Sequence, residues 1–259
     1  MIKDYHTHPQ ILTTENIHAF VATALERGVQ ELCITDHMPL NAEPDDRIPL
    51  GRAADYCRRV REIAQQYQDQ ITIRLGMEMD YHPTVRRDIE AILETGDYDY
   101  VIGSAHLHVV PVNTFDTVHT YSEFARAMLE DSLQAIQTGY FDTIAHLDFF
   151  KWHFTLPRRF PLSGDPFDYR SQASLVEEIL DAALEYHVRL ELNPHWIDAP
   201  DLLEERMWPE AWVVQRALDK GVKFAFGSDA HVPERVGHML PQLRAHPIFG
   251  QALRQWENT

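Results

Sequence analysis

Short apolar runs alternate with longer stretches in which apolar residues return every three or four positions, and the alternation repeats seven times along the chain. The apolar runs are IKDYH (2–6), ELCIT (31–35), ITIRLGMEM (71–79), YVIGSAH (100–106), FDTIAH (141–146), VRLELN (188–193) and VKFAFGSD (222–229). They are short and rich in β-branched or aromatic residues, as buried parallel strands are. Helical spacing lies between them. Ile17, Phe20, Val21, Ala24 and Leu25 share one face after a Thr13–Thr14 cap. Further helices are expected over about 52–67, 85–93, 122–137, 171–185, 209–220 and 242–256. Gly28, Gly96, Gly139 and Gly221 stand where helix C-termini are expected.

Helix-to-strand returns are brief, as in RGVQ, QTGY and DKGV, whereas strand-to-helix loops are long over 36–51, 107–121, 147–170 and 194–208. Alternating strands and helices imply a parallel sheet with right-handed crossovers. Long loops on one side only imply an elaborated face at the carboxyl ends of the strands. That is the plan of an α/β barrel, and seven units in place of eight imply a distorted, TIM-like one. No linker or low-complexity segment divides the chain, so residues 1–259 read as a single barrel domain.

A hydrophobic content of 44% over 259 residues is enough for a sizeable core. The net charge of -17 gives no electrostatic footprint for a phosphate backbone and argues against nucleic acid as a partner. No apolar run approaches a membrane span, and the opening residues lack the progression of a secretory leader. The two cysteines, Cys33 and Cys57, show neither metal nor redox spacing. A cytoplasmic protein with no membrane partner is expected. Histidine changes the picture, because 15 of them is far above ordinary usage.

Many of those histidines fall at strand ends. The first strand ends in His6 and His8, the second in Asp36 and His37, the third in Glu78 with Asp80, the fourth in His106 and then His108. The fifth ends in His146, the sixth in Asn193, the seventh in Asp229 and His231. Residues at i and i+2 of a strand point the same way, so His6 with His8, and Asp229 with His231, can share a cation. A lone buried histidine is ordinarily a hydrogen-bonded core residue, and a lone aspartate after a strand is ordinarily a helix cap. Recurrence at equivalent positions favours a metal cluster instead. Imidazole and carboxylate without thiolate suit zinc, manganese or iron. His18, His187, His238 and His246 fall in helical or loop positions and read as surface or packing residues, whereas His108, His119, His153 and His195 lie in long loops near the expected pocket.

Together HTH, TDH, the glutamate after the third strand, SAHLH, AHLD, ELN and GSDAHVPERVG resemble the polymerase and histidinol phosphatase (PHP) superfamily, over almost the whole chain. The closing GSDAHVPERVG resembles its histidinol phosphatase branch. The resemblance implies a distorted (β/α)7 barrel with two to three divalent ions. It implies a first metal on His6, His8, Glu78 and Asp229, a second on Glu78, His106 and His146, and a third on His37 and His231. Its further third-metal ligand, six residues after His8, falls on Thr14; Glu15 is the nearest carboxylate, against the plain reading of a glutamate that complements a helix dipole. The implied reaction is hydrolysis of a small phosphomonoester in histidine biosynthesis, by a hydroxide held between metals. Glu78, Asp229 and His231 carry the chemistry. The expected phosphate-binding residues are Lys151, Arg158, Arg235 and His195, and Asp4, Asp36, Asp80 and Asp148 are expected to orient imidazoles.

Three other readings compete. A PHP nuclease or phosphodiesterase would need a basic groove, which the charge disfavours. A metal-dependent amidohydrolase also opens with HxH on a barrel strand, but often bridges its metals through a carboxylated lysine, and the third strand offers Glu78 and no lysine. A non-catalytic metal-binding module is the third, and a complete ligand set argues against it.

Overall fold

The structure is a computed structural model that describes residues 1–12, 16–38, 50–106, 120–154, 163–164 and 167–259. Eight strand segments, β1 (Lys3–Asp4), β2 (Glu31–Ile34), β3 (His37–Met38), β4 (Thr72–Asp80), β5 (Tyr100–Ser104), β6 (Thr143–Ile144), β7 (Arg189–Leu192) and β8 (Phe224–Phe226), form one sheet. All pairings are parallel, in the order β1-β2-β4-β5-β6-β7-β8, with β3 beside β4. Ile34 pairs with Leu75 and His37 with Glu78, the same offset, so β2 and β3 are one barrel strand interrupted at Thr35 and Asp36. There the Thr35 N–H donates to the Thr7 carbonyl at 2.9 Å. The Asp36 carboxylate receives the N–H groups of Gln10 and Ile11, both at 2.8 Å. The seam between β8 and β1 closes through main-chain bonds that do not form a regular ladder. Tyr5 N donates to Phe226 O at 3.0 Å, Asp229 N to His6 O at 2.8 Å and His8 N to Ala230 O at 2.8 Å. The result is a nearly closed barrel of seven strands.

The alternation along β4 shows how the barrel is built. Ile73, Leu75, Met77 and Met79 share one parity and are buried. The other parity, Arg74, Gly76, Glu78 and Asp80, faces inward. A side chain at Gly76 would meet Cys33 Sγ at 2.5 Å and Thr35 Cγ2 at 2.8 Å, so its absence lets the neighbouring strand's inward residues fill the middle of the barrel. At the amino end Tyr5 and Tyr100, from strands three places apart in the sheet, meet edge to face at 4.7 Å. Trp256 joins them at 4.8 Å from Tyr5. The carboxyl ends are left for chemistry.

The expected final helix over 242–256 is two, Leu240–Ala245 and Phe249–Glu257. Pro247 has no N–H to continue the ladder and disfavours a helical His246, whose ψ is 136°. Gly139 and Gly221 end their helices in the left-handed region, with φ of 70° and 88°. Gly96 does not; a Cβ there would lie 2.7 Å from Cys57 Sγ, so packing requires the glycine. The Thr13–Thr14 cap lies outside the described residues. No helix among those described is long and apolar enough to cross a membrane.

Candidate metal centre

Each ligand-type residue stands just past, or in the last turns of, its strand, because inward parity there leads into the open mouth of the barrel. Glu78 is at the centre and 1% exposed. Its Oε2 lies 2.7 Å from His37 Nδ1, 3.2 Å from His6 Nε2 and 3.5 Å from His8 Nε2. Its Oε1 lies 3.1 Å from His146 Nε2 and 3.7 Å from His106 Nε2. Asp229 Oδ1 closes the other side, 3.3 Å from His8 Nε2, 3.5 Å from His231 Nδ1 and 3.8 Å from His6 Nε2. The His8 ring stacks between those of His37 and His231, with centroids 4.1 and 4.4 Å away.

The donor atoms fall into overlapping groups, each spanning no more than 4.8 Å: His6, His8 and Asp229; His37, Glu78 and His106; His8, His37 and His231; and His195, Asp229 and His231. Such a set is chemically suited to divalent cations. Hydrogen bonding within the protein leaves it incomplete. His6 Nε2, both ring nitrogens of His8 and Glu78 Oε2 are buried without a hydrogen-bond partner. Each such atom costs about 1–3 kcal/mol, a penalty that bound cations remove. The residues present therefore fit a polynuclear metal site.

The electrostatics agree. Burial opposes ionisation of Glu78, yet His37, His6 and His106 around it hold its carboxyl well below the usual range. Burial opposes ionisation of Asp229 too, and His195 and His6 outweigh it. His6 is pushed up against its own desolvation by Glu191, Asp229 and Glu78. Burial, reinforced by the neighbouring His37 and His231, holds His8 well down. Two anionic carboxylates facing neutral and protonated imidazoles form a cavity in which a cation can replace protons.

Of the expected ligands, the structure brings His6, His8, His37, Glu78, His106, His146, Asp229 and His231 together; Glu15 lies outside the described residues. His195 sits at the rim, its Nδ1 2.7 Å from the Asp229 carbonyl. Arg158 also lies outside the described residues, as do His108 and His119. Lys151 and Arg235, expected to receive phosphate, are engaged elsewhere. Lys151 Nζ lies 2.9 Å from Asp148 and 2.7 Å from Glu210. Arg235 donates to the Ile197 carbonyl at 3.0 Å and to Asp198 at 2.9 Å. A cation this near the interior needs a carboxylate partner, and each has one, Lys151 in Asp148 and Glu210 and Arg235 in Asp198.

Four acids were expected to orient imidazoles. Asp80 does so, accepting from His106 Nδ1 at 2.6 Å. The others hold loop backbones instead. Asp4 accepts from Ser228 N at 2.9 Å and Gly237 N at 2.7 Å. Asp36 receives Gln10 and Ile11, and Asp148 receives Glu210 N at 3.1 Å beside its Lys151 pair. Sequence reasoning missed Glu191, which contacts His6 Nδ1 at 2.6 Å. The signal was present: an acid inside the apolar run VRLELN, in a strand buried on both sides.

A nearly closed parallel barrel with imidazoles and carboxylates converging at its carboxyl mouth defines a metalloenzyme barrel of hydrolase type. The chain belongs to the PHP domain family, whose model matches residues 4–195. It is 30% identical over 247 residues to a probable histidinol-phosphatase of Deinococcus radiodurans, covering 90% of this chain and 88% of that one. It is 26% identical to the histidinol-phosphatase of Bacillus subtilis, covering 91% and 96%. Among solved structures it resembles the histidinol phosphate phosphatase of Lactococcus lactis, a complex with zinc, L-histidinol and phosphate. The TM-score is 0.76 at 22% identity, with 97% of this chain and 93% of that chain covered.

Proposed function

We propose that this chain is a metal-dependent phosphomonoesterase that releases phosphate from histidinol phosphate, with three divalent cations, zinc first among zinc, manganese and iron. The observation that carries the reading is Glu78: one buried carboxylate whose two oxygens face two separate groups of imidazoles. The names of its relatives, matched over about nine-tenths of the chain, support the substrate.

His6, His8, Asp229 and one oxygen of Glu78 would hold one cation, and His106, His146 and the other oxygen a second. His37 and His231, beside His8, would hold a third. Bound cations neutralise charge on the phosphoryl oxygens and lower the pKa of water. The protein's own part is orientation and proton placement. Asp80 takes the proton side of His106, leaving its Nε2 lone pair turned to Glu78. A carbonyl only accepts, so His195 and His231, whose Nδ1 atoms lie 2.7 and 3.0 Å from the Asp229 carbonyl, both carry their proton on Nδ1. Their side chains are 39% and 36% exposed, which makes this rim the entrance. His195, when its Nε2 also carries a proton, would give that proton to the leaving alkoxide and keep the Nδ1 hydrogen on the Asp229 carbonyl, and His195 and His231 would face the phosphate from this rim. The cysteines are both free, which supports the cytoplasm as its compartment.

The test is a side-by-side assay of histidinol phosphate, a nucleoside monophosphate and an oligonucleotide, with elemental analysis of the same preparation. Histidinol phosphate should be turned over fastest, lose turnover on chelation and regain it with zinc or manganese. Cleavage of the oligonucleotide without turnover of histidinol phosphate would overturn the reading.

A further inference from the structure

Glu191 is 2% exposed and lies between Leu190 and Leu192 on β7. A carboxylate so placed is costly unless it is surrounded by donors. It has three. His6 Nδ1 donates to Oε1 at 2.6 Å, while the main-chain N–H of His146 and the Asn193 side-chain amide donate to Oε2, each at 2.9 Å. The same Asn193 amide nitrogen lies 3.3 Å from Asp229 Oδ2, and its oxygen accepts from His195 N at 2.9 Å, which fixes the orientation of the amide. His146 and Asp229 hold left-handed backbone, with φ of 23° and 54°, a conformation that non-glycine residues keep only when their surroundings enforce it. Room for the carboxylate depends on Gly227, where a Cβ would lie 2.0 Å from Glu191 Oε1.

The geometry points to Glu191 as a positioning residue that couples the two halves of the metal centre. One oxygen sets the tautomer of His6, with hydrogen on Nδ1 and the Nε2 lone pair turned to Glu78 and Asp229. The other holds the backbone that carries His146 into the opposite half. Asp80 orients His106, which belongs to one half. The inference rests on the metal-centre reading and is independent of which phosphoester is hydrolysed.

Glutamine is nearly isosteric yet cannot replace this carboxylate. If its oxygen faces His6, its amide hydrogens face the His146 N–H and the Asn193 amide, donor against donor. If its nitrogen faces His6, Nδ1 must become the acceptor and Nε2 carries the hydrogen, which removes the lone pair a cation needs. Either arrangement damages one half directly and strains the other through the shared side chain.

The test uses zinc as the probe, counting equivalents bound per chain in graded chelator buffers. Glu191→Gln should weaken zinc binding about 10–100-fold in both halves, whereas Asp80→Asn should weaken it in one. Wild-type stoichiometry and affinity in Glu191→Gln, or a loss confined to one half as in Asp80→Asn, would overturn the proposal. Nitrogen-15 NMR of the zinc-loaded wild-type protein reads the tautomer without any variant having to fold. Hydrogen on His6 Nδ1 supports the proposal, and hydrogen on Nε2 overturns it. Zinc binding is read without substrate, so a failure of the histidinol phosphate assignment leaves both measurements standing.

Discussion

Replacing Gly227 by alanine adds one methyl group, and the structure says what it meets. The new carbon would lie 2.0 Å from Glu191 Oε1 and 2.4 Å from the Cβ of His6. Non-bonded carbons need about 3.5 Å, so the shortfall against His6 alone is about 1 Å. Backbone on both sides is tied into the barrel seam, and the Glu191 carboxylate is the freest atom group to give way. A retreat of that size stretches its bonds of 2.6, 2.9 and 2.9 Å beyond useful length. Three hydrogen bonds to a buried charge, at about 1.5–3 kcal/mol each, set the ceiling. Partial relaxation brings the expected loss to about 3–5 kcal/mol. Gly221→Ala is the control. That glycine has φ of 88° and open space around it, so only backbone strain applies, about 1 kcal/mol. Urea unfolding of both variants after chelation, followed by circular dichroism, reads the difference as a shift in midpoint at constant slope. If Gly227→Ala unfolds within about 1 kcal/mol of Gly221→Ala, Glu191 has found other room and the reasoning fails.

Glu78→Gln removes the carboxylate shared by both halves, and turnover should fall by about 10³-fold or more, the equivalent of ~4 kcal/mol, with bound metal falling in the same preparation. Wild-type metal content in an inactive variant would confine Glu78 to chemistry alone. Burial pushes the Asp131 carboxyl up to about 7, with Glu130 adding to it. The folded state therefore keeps a proton that the unfolded chain loses near pH 4, and stability drains away as pH rises from there to about 7. Asp131→Asn should match the wild type at pH 4 and melt progressively higher than it up to pH 7, with a constant gap above; thermal scans across that range decide it. The Tyr56 hydroxyl lies 2.9 Å from the Ile34 carbonyl and 2.8 Å from that of Gly76, beside the break between β2 and β3. Tyr56→Phe should cost about 1–2 kcal/mol in urea unfolding while leaving zinc stoichiometry unchanged.

What the sequence could reveal follows from where each kind of information is local. A ligand at the end of a strand is announced twice, by its chemistry and by its parity, and so HTH, GMEMD and GSDAH can be read one segment at a time. The break at Thr35 and Asp36 is not local in that sense. ELCITDHM reads as one strand, and at its break Asp36 is drawn to the amides of Gln10 and Ile11, 26 and 25 residues away. The acids behind the imidazoles show the same limit. Asp4, Asp36, Asp80 and Asp148 look alike in sequence, each within two residues of a histidine, yet among the described residues Asp80 turns to a ring and the other three to backbone N–H groups. Asp80 has the inward parity of Glu78 and stands in register with Ser104, two residues before the His106 it serves. Lys151 and Arg235 read in sequence as isolated cations; their carboxylate partners include Glu210 and Asp198, which sequence distance hides. Glu191 is the sharpest case. A carboxylate in the middle of a buried strand violates the apolar pattern of its neighbours. Such a violation is stable only where several donors converge from elsewhere in the fold, here His6 across the seam and His146 one strand over. The local rule breaks where the two halves of the site are joined, so an acid that the strand pattern cannot explain is itself a marker of the centre it organises.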